Sequence, residues 1–223
     1  KGILPVIEML VANDIRPFIT HTRATVEQTR KAIDAGARHA THFYDVFYPP
    51  EETDPGVRPA GAVEVILSDS RCSVDVICDG VHVAPAAIAC ALTAKGYQGV
   101  ALVTDANVGA GLPPGIYEER WRQRKLRVCE EGGCRIHDPG DPMPNTLAGS
   151  AWTMDMGIRN LRRWFALPEE QLWAMATSVP ARIIGLRERG VIRKGAEADL
   201  VLWDETDDGP SPSRVWVGGK TVY

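Results

Sequence analysis

The chain has 223 residues, 44% hydrophobic and 24% charged, with a net charge of −4 at pH 7. That is an ordinary globular composition, with no basic block to grip nucleic acid and no apolar run long enough to cross a bilayer. No signal peptide opens it, and its five cysteines stand at irregular spacing without a Cys-x-x-Cys pair, so they read as reduced thiols of a cytoplasmic protein.

Lys1 to Asn13 reads as an amphipathic helix, with Ile3, Val6, Ile7, Leu10 and Val11 at helical spacing. The chain starts on this helix without an initiator Met, as a fragment of something longer does. Ile15-Arg-Pro-Phe-Ile19 is a short strand ending at Thr20 and His21. Thr25 and Gln28 form a capping box for a helix over Val26 to Ala35, closed by Gly36. A second, weaker strand runs from Gly36 to Thr41 and ends at His42. Phe43 to Arg58 is a Pro-rich, acidic loop, and Gly61 to Ser68 a short helix.

Cys72 to Cys78 is an apolar strand that ends in Asp79-Gly80-Val81-His82. Ala84 to Lys95 is helical and stops at Gly96. Gly99 to Thr104 is a near-continuous apolar run of the kind buried in parallel sheets, ending at Asp105. Tyr117 to Ile136 alternates polar and apolar residues around Gly132-Gly133 and reads as a β-hairpin excursion. Cys129 and Cys134 flank its turn, and a disulfide there is the minor alternative to free thiols. Leu147-Ala-Gly-Ser150 precedes a helix over Ala151 to Phe165 with Met154, Ile158 and Leu161 on its inner face; a further strand near Leu147 is the other reading. Helices follow over Glu169 to Thr177, with Leu172 and Met175 inward, and over Pro180 to Ile184.

The character then changes. Ala198 to Trp203 is a strand, Asp204 to Ser213 a polar loop with prolines, and Arg214 to Val222 a closing hairpin around Gly218-Gly219. We place a boundary near residue 186, between a β/α body and a small β-rich unit. The body holds about four β/α units, short of the eight in a closed barrel. It is either an open doubly wound sheet or the C-terminal part of a barrel.

His21, His42, His82 and Asp105 each follow a predicted strand. In parallel α/β folds the site is built at those ends. Imidazoles are common zinc ligands, and a nearby Asp can move a proton to and from water. The plainer reading makes each histidine a hydrogen-bonded loop residue, and three of them with an Asp at successive strand ends favour the metal. His39, inside the second strand, and His137, after the excursion, carry no assigned role. Arg58 could clamp a phosphate or carboxylate, or be a solvated loop residue. The small residues at Leu147 to Gly149 could admit an anion or sugar hydroxyl to backbone N–H groups, with Ser150 a plain helix N-cap otherwise.

Six motifs in order, Thr20-His-Thr-Arg-Ala-Thr, Ala40-Thr-His-Phe-Tyr-Asp, Asp79-Gly-Val-His, Leu102-Val-Thr-Asp-Ala, Leu147-Ala-Gly-Ser and Gly195-Ala-Glu-Ala-Asp-Leu-Val, resemble the N-acetylglucosamine-6-phosphate deacetylases of the amidohydrolase superfamily. The resemblance implies an α/β fold: a (β/α)₈ TIM barrel, N-terminally incomplete in residues 1–185, with residues 186–223 forming part of a small β-sandwich. It implies a divalent metal, zinc first, held by His21 and His42. Asp105 would be the acid/base, and His82 would contact substrate and polarise the amide carbonyl. Asp45, Val46, Arg58, Asp79, Gly80, Val81, Leu147, Ala148 and Gly149 would complete the substrate site. The expected reaction releases acetate from N-acetylglucosamine 6-phosphate in amino sugar catabolism, in a cytoplasmic homo-oligomer, dimer or tetramer, without nucleic acid or membrane partners. Trp121, Trp164 and Trp173 would serve its interface or its core.

Three departures stand out. The family's metal-binding Glu would precede Lys1. Asp45-Val46 replaces the family's usual Asn-Ala, placing a carboxylate where a phosphate is expected. Thr20 replaces a frequent Gly. Competing readings are deacetylation of N-acetylgalactosamine 6-phosphate, hydrolysis of an N-acyl amino acid or cyclic amide, and a non-catalytic incomplete barrel that binds a sugar phosphate or partner subunit.

Overall fold

The computed structural model describes residues 2–49, 51 and 54–223. Lys1 of the first predicted helix, and Pro50, Glu52 and Thr53 of the predicted loop, lie outside the described residues. Four short strands form a parallel sheet in the order β1-β2-β3-β4: β1 (Phe18–Ile19), β2 (His39–Ala40), β3 (Ser73–Ile77) and β4 (Val100–Val103). Ile19 pairs with Ala40, Ala40 with Val74, and Ile77 with Val103. The four C-terminal ends therefore open on one edge. The order runs in one direction, without the reversal of a doubly wound sheet.

Helices α2 (Val26–Asp34), α3 (Ala62–Ser68) and α4 (Pro85–Lys95) connect these strands. The capping box is present as read, with Thr25 Oγ1 accepting from the Gln28 amide and Gln28 Oε1 from the Thr25 amide. The core gathers β3 and β4 against the helices through Ile33, Val74, Val76, Ile88 and Leu102, all buried. Two later helices, α5 (Met154–Trp164) and α6 (Glu169–Ala176), add Ile158, Leu161, Leu172 and Met175 to it. Helix α7 (Ser178–Ile184) follows and ends at Gly185, whose φ is +85°.

Four expectations need correction. Helix α1 (Ile3–Ala12) forms, but of its apolar stripe only Ile7 is buried, and Ile3, Val6 and Val11 stand in solvent. Helix α5 begins at Met154 rather than Ala151, and Met154 faces out, because the first turn projects beyond the core that holds Ile158 and Leu161.

The predicted hairpin is larger than its alternation suggested. Strands β5 (Gly115–Glu119), β6 (Arg124–Val128) and β7 (Gly133–Ile136) are joined by β8 (Leu147–Ser150) in an antiparallel sheet. Ser150 is thus a strand residue whose hydroxyl donates to the Thr104 carbonyl, not a helix cap. This sheet has its own small core of Leu126, Val128, Cys134, Ile136 and Ala151.

Asp204 to Ser213 is sheet rather than loop: β9 (Leu200–Thr206) and β10 (Gly209–Val217) pair antiparallel, with β11 (Lys220–Thr221) beside the end of β10. Pro210 and Pro212 are tolerated because β11 pairs only with Trp216 and Val217, so the prolines occupy an unpaired edge. All five cysteines are free. No helix among the described residues is long and apolar enough to cross a membrane.

Candidate active site

The site grows from the strand ends. His21, His42 and Asp105 each turn out of their strand in the left-handed region, at φ +39°, +35° and +47°. Val46 shares that conformation at +56°, where a β-branched residue is strained. Strained backbone of this kind collects at functional positions, where the surrounding structure holds it.

The His21 and His42 rings lie 4.6 Å apart, centroid to centroid. The turn after His42, closed by the Asp45 amide donating to the His42 carbonyl (3.0 Å), brings in a third group. One ligand atom from each of His21, His42 and Asp45 lies within 4.8 Å of the others. His42 Nε2 meets the Thr20 hydroxyl at 3.0 Å, whereas its buried Nδ1 has no hydrogen-bond partner. Two imidazoles, a carboxylate and an orphaned ring nitrogen fit a divalent cation.

Asp75 stands behind this cluster. Within the apolar β3 its carboxylate is buried and accepts from the His42 amide (2.5 Å) and the Thr41 hydroxyl (3.2 Å). It also bonds His39 Nε2 at 2.9 Å, while His39 Nδ1 meets Ser73 Oγ at 2.8 Å. His39, left without a role by its position, thus fixes Asp75, and Asp75 fixes the His42 backbone. Sequence reasoning passed over Asp75, although a lone carboxylate between Val74 and Val76 is the signal such a hub leaves.

His21, His42, Asp45, Val46, Asp105, Leu147, Ala148 and Gly149 line one cleft of about 1200 Å³. Strand β8 is fastened to Asp105: the Ser150 amide donates to the Asp105 carbonyl (2.8 Å), and the Asn107 amide to the Ser150 carbonyl (3.0 Å). Burial raises the Asp105 pKa, aided by the Asp45 and Asp75 charges and opposed by His42 and His82.

His82 and Asp79 form a buried pair, Nδ1 to Oδ2 at 2.6 Å, and Asp79 Oδ1 accepts from the Val81 and His82 amides. Burial alone would lower the His82 pKa, but the Asp79 hydrogen bond and charge outweigh it and hold it raised. For Asp79, burial pushes up, and the His82 bonds win and lower it. His82 Nε2 is buried without a partner. Asp79, Gly80, Val81 and His82 are not among the residues that line the cleft. Arg58 is not among the lining residues either: its side chain is 86% exposed and pairs with Glu64 at 2.8 Å. The excursion instead contributes Trp121, Arg122, Arg124 and Arg135 to the cleft wall; of these only Trp121 stood out in the sequence, as interface or core, and none as a site residue.

A family model described as "Amidohydrolase family" matches residues 137–223. An N-acetylglucosamine-6-phosphate deacetylase from Vibrio furnissii is 33% identical over 100% of this chain and 51% of its own length. An N-acetylgalactosamine-6-phosphate deacetylase from Escherichia coli O157:H7 is 31% identical over 99% of this chain and 54% of its own. Among solved structures, a mutant N-acetyl-D-glucosamine-6-phosphate deacetylase from Mycobacterium smegmatis, in complex with N-acetyl-D-glucosamine-6-phosphate, superimposes with a TM-score of 0.80. It is 33% identical and covers 100% of this chain and 55% of that one. The resemblance carried by the six motifs therefore holds along the whole chain, which spans about half the length of the curated relatives it matches.

Proposed function

We propose that the chain carries the metal- and sugar-binding part of an amidohydrolase that removes the acetyl group of N-acetylglucosamine 6-phosphate. The observation that carries this reading is the His21, His42 and Asp45 cluster sharing one cleft with Asp105 and the Leu147 to Gly149 strand. Its context is a (β/α)₈ barrel of which residues 1–185 are one part, with residues 186–223 belonging to a small β-sandwich. The protein so read is a cytoplasmic homo-oligomer.

A divalent cation, zinc first, held by His21, His42 and Asp45, would supply Lewis acidity and acidify water at neutral pH. In this reading Asp105 takes a proton from water as the oxygen attacks the acetyl carbonyl carbon. It then delivers that proton to the sugar nitrogen as the C–N bond breaks, leaving acetate and a free amine. Burial raises the Asp105 pKa, which makes its carboxylate a stronger base toward water and so better able to take and return the proton. Asp79 favours the protonated form of His82, and in that form the unpartnered Nε2 is the donor we assign to the oxyanion. Leu147, Ala148 and Gly149 shape the wall against the sugar ring.

The test is acetate release by the full-length, metal-loaded protein, with and without a chelator. Chelator-sensitive release from N-acetylglucosamine 6-phosphate supports the reading; a metal-replete protein that deacetylates no N-acetylhexosamine phosphate would sink it. The Escherichia coli relative favours N-acetylgalactosamine 6-phosphate as the second substrate to try.

A further inference from the structure

Phe18, His39 and Ser73 open strands β1, β2 and β3, and they stand side by side in the parallel register, Phe18 opposite His39 and His39 opposite Ser73. An arginine comes one or two residues before each of them: Arg16, Arg38 and Arg71. Parallel strands in register bring the three arginines to one edge of the sheet, the edge away from His21, His42 and Asp105. Arg182 of α7 reaches the same place. The four arginines line a cavity of about 270 Å³, with His39 and Ser73 in its wall, and no carboxylate lines it among the described residues.

The partners of each guanidinium decide what the cavity can hold. Arg71 is neutralised, paired with Asp69 at 2.7 Å and Asp34 at 2.9 Å. Arg16 and Arg182 bond carbonyls, which orient them and leave their charge in place. Arg16 donates from Nη1 to the Ile183 carbonyl at 2.6 Å and the Arg182 carbonyl at 3.4 Å, and Arg182 donates from Nη2 to the Gln98 carbonyl. Their remaining N–H groups have no partner among the described residues. Arg38 has no side-chain hydrogen bond or ion pair there at all. His39 is committed to Ser73 and Asp75, so it shapes the wall without binding. A stabilising ion-pair network would interleave acids with these cations, and only Arg71 has them.

We infer that this cavity is an anion site for a phosphate group, held by Arg38, Arg16 and Arg182, at the end of the parallel sheet opposite the catalytic cleft. The inference stands independently of the deacetylase reading. Guanidiniums aimed by carbonyls present their free N–H donors in a fixed fork that matches a phosphate's oxygens. Three uncompensated charges suit a dianion. The volume lies just under the lower edge of small-molecule sites, about 300 Å³, so it fits inorganic phosphate or the phosphate end of a small ester.

Arg38 supplies a local readout. Phenylglyoxal modification of the full-length protein is followed by peptide mass spectrometry at constant ionic strength set with chloride, with Arg30, an exposed residue of α2, as the control. Inorganic phosphate should protect Arg38 and leave Arg30 reacting at its unprotected rate. R182Q should raise the phosphate concentration for half-protection about 10-fold, the scale of one charged hydrogen bond. Calorimetric binding of inorganic phosphate reads the site a second way: R38Q should weaken it by a similar factor, and R38K should fall between, since it keeps the charge and loses the fork. Glucosamine 6-phosphate separates the two sources of the group. Protection tighter than that by inorganic phosphate identifies an ester as the ligand, and weaker protection identifies the free ion. Arg38 reacting equally with and without either phosphate, protection of Arg38 and Arg30 alike, or an unchanged phosphate isotherm in R38Q would overturn the site.

Discussion

Asp105 combines two properties that pull apart in a variant. It sits in the left-handed region, which Asn tolerates, and burial raises its pKa. Asp105→Asn should therefore fold normally and lose activity by about 10²- to 10⁴-fold, as the loss of an acid/base group does. A raised carboxyl pKa means stability that is fullest below the unfolded value of 3.8 and is lost as pH rises through the folded value. The metal-free wild type should accordingly gain less thermal stability between acid and neutral pH than the Asn variant does. A melting-temperature profile of both proteins checks this. The Asp79–His82 pair behaves differently. Asp79 is lowered, so its contribution is present above 3.8 and lost as pH falls through its folded value. His82 is raised, so its contribution is present below 6.5 and lost as pH rises through its own. The pair stabilises fully between pH 3.8 and 6.5. Asp79→Ala should cost about 3 kcal/mol there by urea denaturation, since it leaves a buried histidine unpaired; a cost below about 1 kcal/mol would show that the pair contributes little. Among the site residues, His21, His42 and Asp105 were legible because each follows a β-prone run. Asp75 was not, because its importance lies in partners that come from β2.

Strands β3 and β8 show how an element sets the site. β3 carries Asp75 into the core under the His42 turn, so Asp75→Asn should weaken metal affinity by about 10- to 100-fold, as changes to groups that orient ligands do. Competition with a chelator measures it, and unchanged affinity would remove Asp75 from the site. β8 passes so close to Asp105 that a Cβ on Gly149 would meet the Asp105 carbonyl oxygen at 2.6 Å, and Gly149 has φ +66°. Gly149→Ala should cost about 1–3 kcal/mol for the conformation alone and lower kcat by displacing Asp105. The element limits that sequence reading got wrong share a cause. Leu147 to Ser150 is small-residued and weakly patterned, so its strand state depends on β7 and on the Thr104 carbonyl. Pro210 and Pro212 signal a loop locally, and only the short reach of β11 makes room for them in a strand.

At the scale of the molecule, three sheets meet different demands. The parallel sheet presents the histidines, the excursion supplies the far wall, and the C-terminal sheet braces the helices. The last is held to α5 and α6 by Arg159 donating to the Pro210 carbonyl (3.0 Å), Arg162 pairing with Glu205 (2.9 Å), and Trp173 packing on Trp203 at 5.0 Å. A cation bound to the folded site and not to the unfolded chain stabilises by mass action, about 2.7 kcal/mol at a hundredfold excess over its Kd. Stripping the metal from the full-length protein should lower its melting temperature by several degrees, and adding zinc back should restore it. A melting temperature indifferent to both would argue against the cluster as a metal site.

Sequence alone determined the order of strands and helices through β4 and again over α5 to α7, the cap of α2, and the positions of His21, His42 and Asp105 at strand ends. Those features are local, written in periodicity, capping chemistry and motifs. Tertiary structure alone decided that Asp45 joins the histidines, that Arg58 is exposed beside Glu64, and that the antiparallel excursion walls the cleft. Each depends on which distant strand arrives beside it, and proximity across a fold leaves no periodic trace in the chain.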